Sequence, residues 1–428
     1  MKKLLCMVLS TVLAMSSATA LNMSAYADSA NTQQVSYNYW YNSSTGYTDE
    51  NVHTRQMEKL DRGLIAIKTD GGVYLSWRLF DSEDNIFGSA DKNVSFNVYR
   101  DGKKISEVAT KTNYVDSTVG TNYSVAPVIN GVEGEKCNPV TVYNNSYFDI
   151  PLSKPDDETI YDPSGNELAT YSFFPADCST GDVDGDGEYE IIVKWTSSEH
   201  DVGSPGDPAY SGTVHLAAYK LDGTKLWKND IALGKNVYSS AHTVQFLVYD
   251  FDGDGKSEVM CQTSLGSKDG QGEYVSNAAQ TDEEIKAITD EENSTADYRG
   301  YGRITEGKEF LTVFNGETGV AMDTINLPTT RGSENGVDYG DDFGNRSNRF
   351  VSDIAYLDGE KPYAIYLRGY YFGRNGKQRT SIAGISWDGT ALSPTYRFDT
   401  QKGQEGYYDG AYQYVGNGNH NCTVADVD

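Results

Sequence analysis

An acidic turn occurs twice in this chain and opens a third time at its last residues. Asp182-Val183-Asp184-Gly185-Asp186-Gly187-Glu188-Tyr189-Glu190 leads into Ile191-Ile192-Val193. Asp250-Phe251-Asp252-Gly253-Asp254-Gly255-Lys256-Ser257-Glu258 leads into Val259-Met260, and Asp426-Val427-Asp428 repeats the opening. Alternating carboxylates on a glycine-bearing turn are what a hard cation with oxygen ligands requires. The candidate ligands are Asp182, Asp184, Asp186, Glu188 and Glu190 in the first turn. In the second they are Asp250, Asp252, Asp254, Lys256 through its backbone carbonyl, and Glu258; Asp426 and Asp428 begin the third. The implied cofactor is Ca2+, as several ions. No helical periodicity precedes either turn and an apolar strand follows each, which excludes an EF-hand. The competing reading is a polar hairpin turn that holds no metal.

Because the turn repeats, it marks an architectural unit. Each unit has the turn or a relic of it, then an apolar strand, a variable excursion and a hairpin with a tight glycine turn. The hairpins fall at 216–227, 310–319 and 382–389; in the third unit the turn has decayed to Asp358-Gly359. Four short strands per unit is the recipe for a propeller blade, which needs a neighbour on each face. Residues 149–428 are therefore read as β-propeller blades, incomplete, and the chain as a fragment of a longer protein. Upstream, Asp70-Gly71-Gly72 joins two β-patterned runs and Trp77 stands among alternating apolar positions such as Phe96 and Val98. Residues 55–148 are expected to form a fibronectin-III-like β-sandwich. The predicted fold class is all-β.

Residues 28–54 are polar and read as a flexible lead-in. Residues 1–27 read as a signal peptide: Lys2-Lys3, an apolar run over 4–15 too short to span a bilayer, and Ala25-Tyr26-Ala27 as the cleavage site. The chain is thus expected to be secreted and extracellular, with no membrane partner. Cys137, Cys178, Cys261 and Cys422 are scattered, read as mostly buried thiols without a predicted disulfide.

The net charge is −27, which excludes nucleic acid as a partner. An acidic polysaccharide would be repelled too, unless bound metal supplied positive charge. The chain carries 32 Tyr against 14 Phe, and amphipathic rings suit a wet sugar groove. Gly416-Asn417-Gly418-Asn419-His420-Asn421 places amide and imidazole groups just before an acidic turn. His420 is a candidate metal ligand, and Asn419 and Asn421 are candidates for sugar hydroxyls; the bland reading is a polar turn. His242 precedes the second acidic turn in the same way. Lys194-Trp195 and Arg368-Gly369-Tyr370-Tyr371 set a cation beside aromatics at a strand end, facing an anionic sugar or packed on a sheet surface. No nucleophile elbow, metalloprotease helix, phosphate loop or dinucleotide fingerprint is present.

Several collinear motifs together resemble polysaccharide lyase family 11, the rhamnogalacturonan lyases. They include Arg55-Gln56-Met57-Glu58-Lys59-Leu60, Leu75-Ser76-Trp77-Arg78, Phe96-Asn97-Val98-Tyr99-Arg100-Asp101-Gly102, the first acidic turn, Tyr219-Lys220-Leu221-Asp222-Gly223-Thr224-Lys225-Leu226-Trp227, Arg368-Gly369-Tyr370-Tyr371 and Gly418-Asn419-His420-Asn421. The resemblance implies an eight-bladed propeller behind a fibronectin-like domain, several calcium ions, and cleavage of the rhamnose–galacturonate backbone of pectin by elimination. The implied partner is rhamnogalacturonan I, met by a monomer. Calcium on the galacturonate carboxylate would stabilise the charge that develops when the C5 proton leaves. The aspartate turns are expected both to pin the sheets and to offset the charge of the polymer. Asp177, Lys194, His242 and Arg368 are candidate substrate-binding residues. Two positions depart from the family pattern: Ala176-Asp177 stands for Asn-Asp, and Lys194-Trp195-Thr196 for Lys-Trp-Asp. The resemblance implies that the base lies past Asp428, so no catalytic residue is named. The alternatives are a non-catalytic calcium-stapled propeller that binds carbohydrate or a cell surface, and a pectin hydrolase on the same scaffold.

Overall fold

The computed structural model describes residues 56–80, 83, 93–109, 111–161, 165–197, 212–234, 237, 243–264, 266–275, 308–332, 338–341, 344–369, 378–410 and 421–425, with backbone strands at 25–28, 33–37 and 52–55. It is all-β; the helical turn Arg346–Asn348 is a single short 3-10 segment. The described residues divide into two compact units, one reaching to Ile150 with Asp358–Glu360, the other of Pro151–Leu357 and Lys361–Ala425. Ala25–Asp28, at the end of the stretch read as a signal peptide, pairs with Gln33–Tyr37, and this with Val52–Arg55, as an antiparallel sheet across the stretch read as a lead-in.

In the first unit, Ile65–Thr69 and Gly72–Ser76 form the hairpin read from Asp70-Gly71-Gly72, and Asn113–Asp116 adds to its far edge. Gly72 has φ 124°, and a Cβ there would lie 1.9 Å from the Asp116 carbonyl oxygen, so only glycine allows that third strand to approach. Val94–Arg100, Lys103–Val108, Asn122–Ile129, Val132–Glu133 and Val140–Thr141 make the second sheet. Alternating residues of both sheets meet in one core: Val73, Leu75 and Trp77 against Phe96, Val98 and Val125. Trp77 packs edge-on to Phe96 at 5.5 Å. The Tyr123 hydroxyl donates to Asp116 at 2.9 Å and the Arg100 guanidinium meets the same carboxylate at 2.7 Å, which satisfies a charge buried where the sheets face.

The second unit holds three successive four-stranded antiparallel sheets, each in simple sequential order. The first is Phe174–Gly181, Glu190–Thr196, His215–Tyr219 and Ile231–Ala232. The second is Phe246–Tyr249, Glu258–Ser264, Glu309–Phe314 and Ala321–Asn326. The third is Phe350–Ala355, Tyr363–Arg368, Ser381–Trp387 and Leu392–Asp399. Each repeat therefore begins one strand earlier than the sequence pattern marks it, and the acidic turn joins the first strand to the second. That opening strand is half polar in the first sheet, so its periodicity is weak.

The middle sheet is buried on both faces. Val259 and Cys261 point into one cluster with Ile192, Leu216, Ala218 and Trp227; Met260 points into another with Tyr366, Ala383 and Ile385. A strand covered on both sides reads as a continuous apolar run, as Val259-Met260-Cys261 does. The turns add to this packing. Val183 and Phe251, each at position 2 between two aspartates, are 0% exposed and plug the two inter-sheet clusters. Burial of such a side chain contributes about 1.5–3 kcal/mol. Gly316 lets the next sheet's turn come close: a Cβ there would lie 2.0 Å from the Ser257 carbonyl and 2.8 Å from Val183. Among the four described cysteines Cys261 is buried and Cys137 and Cys422 are half-buried, but Cys178 is exposed, against the expectation of a buried thiol. It lies on an edge strand at a point where two successive residues face out. No helix among the described residues is long and apolar enough to cross a membrane.

Candidate functional site

The two acidic turns have the same internal wiring. In the first, Asp182 accepts the Gly185 and Gly187 N–H groups at 2.7 and 3.0 Å, Asp184 accepts Asp186 N–H, Asp186 accepts Glu188 N–H, and Glu190 accepts Val183 N–H. In the second, Asp250 accepts Gly253 and Gly255 N–H at 2.7 and 3.0 Å, Asp252 accepts Asp254 N–H, Asp254 accepts Lys256 N–H, and Glu258 accepts Phe251 N–H. The second glycine of each turn sits at φ 92° or 93°. Asp184, Asp186 and Glu190, and likewise Asp252, Asp254 and Glu258, hold the backbone through one oxygen, which leaves the other for a ligand, whereas Asp182 and Asp250 accept N–H groups through both. Asp182, Asp184 and Glu190, and Asp250, Asp252 and Asp254, each bring carboxylate oxygens within 4.8 Å of one another. All-oxygen donors on a preshaped turn fit Ca2+.

The turns differ in charge balance. The Lys220 ammonium reaches Asp184 at 2.7 Å, Asp186 at 3.0 Å and Glu190 at 3.9 Å. Among the described residues no cation pairs with Asp250, Asp252, Asp254 or Glu258; Lys256, which belongs to the turn, sends its ammonium to Glu317 at 2.5 Å. The carboxyl groups respond. Burial, reinforced by neighbouring carboxylates, pushes Glu258 up to about 9 and Asp250 up to about 6. Glu190 rises only to about 7, again through burial, with Lys220 opposing the shift.

Strand register puts the other candidates at the opposite end of the sheets. In the first sheet the turn adjoins Glu190, whereas Asp177 pairs with Lys194 and Trp195 with His215 at the far end. In the second, Glu258 adjoins the turn and Ser264 pairs with Glu309 at the far end. In the third, Arg368 pairs with Phe350, away from the loop that follows Ala355. A strand such as Glu258–Ser264 spans roughly 20 Å at about 3.3 Å per residue. That distance exceeds the screening length of about 8 Å, so ions in the turns would offset little charge on a polymer held at the far end.

The far end is built on buried cations. Lys194 is fully buried; its ammonium donates to the carbonyls of Thr243 and Val244 at 3.3 and 3.2 Å and lies 3.7 Å from Asp177. Burial lowers its pKa and Asp177 opposes that. Val244 sits at φ 51°, a conformation a β-branched residue adopts only at a cost of about 1–3 kcal/mol. Ala176 is the extra residue of a β-bulge, and Asp177 beside it is 49% exposed. Thr196 is buried and its hydroxyl has no hydrogen-bond partner.

Farther along the same end, Glu309 is gripped by two arginines. Arg368 pairs with it through both guanidinium nitrogens at 2.7 and 2.9 Å, and Arg331 meets it at 2.6 Å. Arg368 is fully buried and also donates to the carbonyls of Ser347 and Thr329. Burial pushes the Glu309 carboxyl up, but the arginines outweigh it and hold it below the usual range. Arg379 pairs with Asp399 at 2.7 Å, and the Tyr339 ring lies 5.4 Å from the Arg368 guanidinium and 5.2 Å from that of Arg379.

Of the candidates read from sequence, Asp177 is half-exposed at this end, Lys194 and Arg368 are buried there, and Asn421 is exposed. His242, Asn419, His420, Asp426 and Asp428 lie outside the described residues. Sequence reasoning gave no role to Glu309, Arg331 or the strained Val244, whose partners are distant in the chain. It also passed over His215. That imidazole, its Nδ1 without a hydrogen-bond partner, lines a cavity of about 520 Å3 with Glu158, Lys228 and Lys268.

Residues 147–428 match the family described as rhamnogalacturonan lyase family 11, C-terminal domain, and residues 55–143 match the rhamnogalacturonan I lyases beta-sheet domain. The chain belongs to rhamnogalacturonan lyase family 11. It is 43% identical over 378 residues to rhamnogalacturonan endolyase YesW of Bacillus subtilis (strain 168), covering 87% of this chain and 54% of that protein. It is 40% identical over 381 residues to rhamnogalacturonan exolyase YesX of the same organism, with the same coverage. The solved structure of Bacillus licheniformis rhamnogalacturonan lyase PL11 superposes with a TM-score of 0.65 at 42% identity, covering 84% of this chain and 55% of that one. The chain therefore spans about half the length of the curated family 11 relatives it matches.

Proposed function

We propose that this chain belongs to a secreted, calcium-dependent rhamnogalacturonan lyase that cleaves the rhamnose–galacturonate backbone of rhamnogalacturonan I by β-elimination, acting as a monomer. The observation that carries the reading is family membership over both units, from residue 55 to residue 428. We read 55–148 as a fibronectin-III-like sandwich; its two sheets, one of three strands and one of five, support that. We read 149–428 as propeller blades, which the three sequential four-stranded sheets support.

In β-elimination the proton leaves C5 of galacturonate, its electrons form the C4–C5 double bond, and the C4–O bond breaks with the oxygen leaving on the neighbouring sugar. Calcium bound against the uronate carboxylate supplies the positive charge that stabilises the developing enolate. Both carboxylate groups able to hold an ion among the described residues belong to the turns. His420 is the proposed ligand of a further ion. At the end of the sheets away from the turns, the half-exposed Asp177 accepts hydrogen bonds from sugar hydroxyls. Lys194 fixes the Thr243 and Val244 carbonyls, and with them the segment that follows His242. Arg368 is a positioning residue: it ties the third sheet to Glu309 of the second.

Incubation of the protein with rhamnogalacturonan I and calcium tests this. An unsaturated uronate product absorbs in the ultraviolet, and its absorbance rises if the reading holds. Retention on the polymer without that rise means a binding module, and reducing ends without it mean a hydrolase.

A further inference from the structure

The two turns share hydrogen bonds, backbone and every aspartate and glycine, and differ in charge inside the turn only at the seventh position, Glu188 against Lys256, whose ammonium turns away to Glu317. They differ in the residue that follows the third strand of the sheet. In the first sheet Ile191 pairs with Tyr219, and Lys220 comes next; in the second Val259 pairs with Phe314, and Asn315 comes next. Asn315 curls onto its own turn, accepting the Thr318 N–H at 2.9 Å and the Thr318 hydroxyl at 2.8 Å. Lys220 extends into the acidic turn instead. Its ammonium contacts Asp184 Oδ2, Asp186 Oδ2 and, more distantly, Glu190 Oε1. Asp184 and Asp186 use their other oxygens to accept backbone N–H groups, and so does Glu190. The ammonium therefore occupies the oxygens a metal would need. In the second turn the corresponding oxygens of Asp252, Asp254 and Glu258 meet no cation among the described residues, and the neutral indole of Trp387 lies beside Asp252.

We propose that the two turns are neutralised by different cations: the first by the built-in ammonium of Lys220, the second by a divalent ion from solution. This rests on the reading of the turns as calcium sites. A lysine ammonium is a compact, strongly hydrated charge on a flexible stem, suited to standing in for a small cation. Crowded carboxylates need such a charge from one source or the other. Only the second turn then couples the fold to calcium, while the first stays closed without it. A calcium ion entering the first turn has to displace Lys220, which reduces its apparent affinity to the intrinsic value multiplied by the fraction of time the lysine is away.

Calcium titration by calorimetry on the whole chain and on Asp184→Asn, Asp252→Asn and Lys220→Met tests this. Asp252→Asn is expected to remove one tight site and Asp184→Asn none, while Lys220→Met gains a site or tightens one by about tenfold or more. Loss of a tight site in Asp184→Asn, or unchanged uptake in Lys220→Met, overturns the proposal and leaves the calcium reading standing. Unchanged uptake in all three variants overturns the calcium reading itself. Should Lys220→Met not fold, Lys220→Gln removes the same charge and is read in the same way.

Discussion

The two ends of the three-sheet unit use charge in opposite ways. At the turn end, carboxylates crowd together, satisfy their own backbone and depend on a cation for neutrality. At the other end, arginines and a lysine are buried and matched by carboxylates or carbonyls, from the neighbouring sheet for Arg368 and from the same sheet for Arg379. Both ends join adjacent sheets, but the buried pairs are parts of the chain itself, so their order does not depend on what the solvent contains, whereas an ion held by the second turn would be removable. The two ends are therefore separable by experiment.

The largest expected effect is at the buried end. Glu309→Gln leaves Arg368 and Arg331 facing a neutral amide, and should cost about 3–5 kcal/mol in denaturant unfolding. A loss below 1 kcal/mol would mean that the arginines find other partners. At the turn end, Phe251→Ala removes the plug between the second and third sheets and should cost about 3–5 kcal/mol by the same measurement. Calcium should not restore that loss, since the cavity is apolar. Chelation alone should cost less: about 2.7 kcal/mol for a site held at a hundred times its dissociation constant, seen as a lower melting temperature in EDTA. Asp250→Asn should abolish that calcium response, whereas Glu309→Gln should leave it intact; loss of the response in both would show that the ends are coupled.

Acid also separates the ends. Glu309 has a folded-state pKa below its unfolded value, so its contribution is present above the usual carboxylate range and is lost as pH falls through that lowered value. Unfolding followed from pH 5 downward should show that loss in the wild type and not in Glu309→Gln. The smallest effect concerns thiols. A bulky thiol reagent should label the exposed Cys178 in the folded protein with little change in melting temperature, while Cys261 labels only on unfolding.

Much of the scaffold was legible in the chain because it rests on local chemistry. The hairpin at Gly72, the alternation around Phe96 and Val98, and both acidic turns follow from residues close in sequence. What stayed hidden depends on distant partners. Arg368 looked like a cleft cation because it stands beside glycine and tyrosines, yet Glu309, 59 residues away, holds it inside. Lys220 looked like an ordinary hairpin residue, yet it neutralises a turn more than 30 positions earlier. The glycines of the acidic turns announced a metal site, but no local signal said that one copy already has a cation.

The middle sheet has neighbours on both faces, while the clusters around Trp195 in the first sheet and Leu367 in the third lie on outer faces. In an array held by nearest-neighbour contacts, dissolution runs inward from the flanks. Amide protons of Val259, Met260 and Cys261 should therefore be the last to trade with deuterium, surviving after the flanking strands have exchanged.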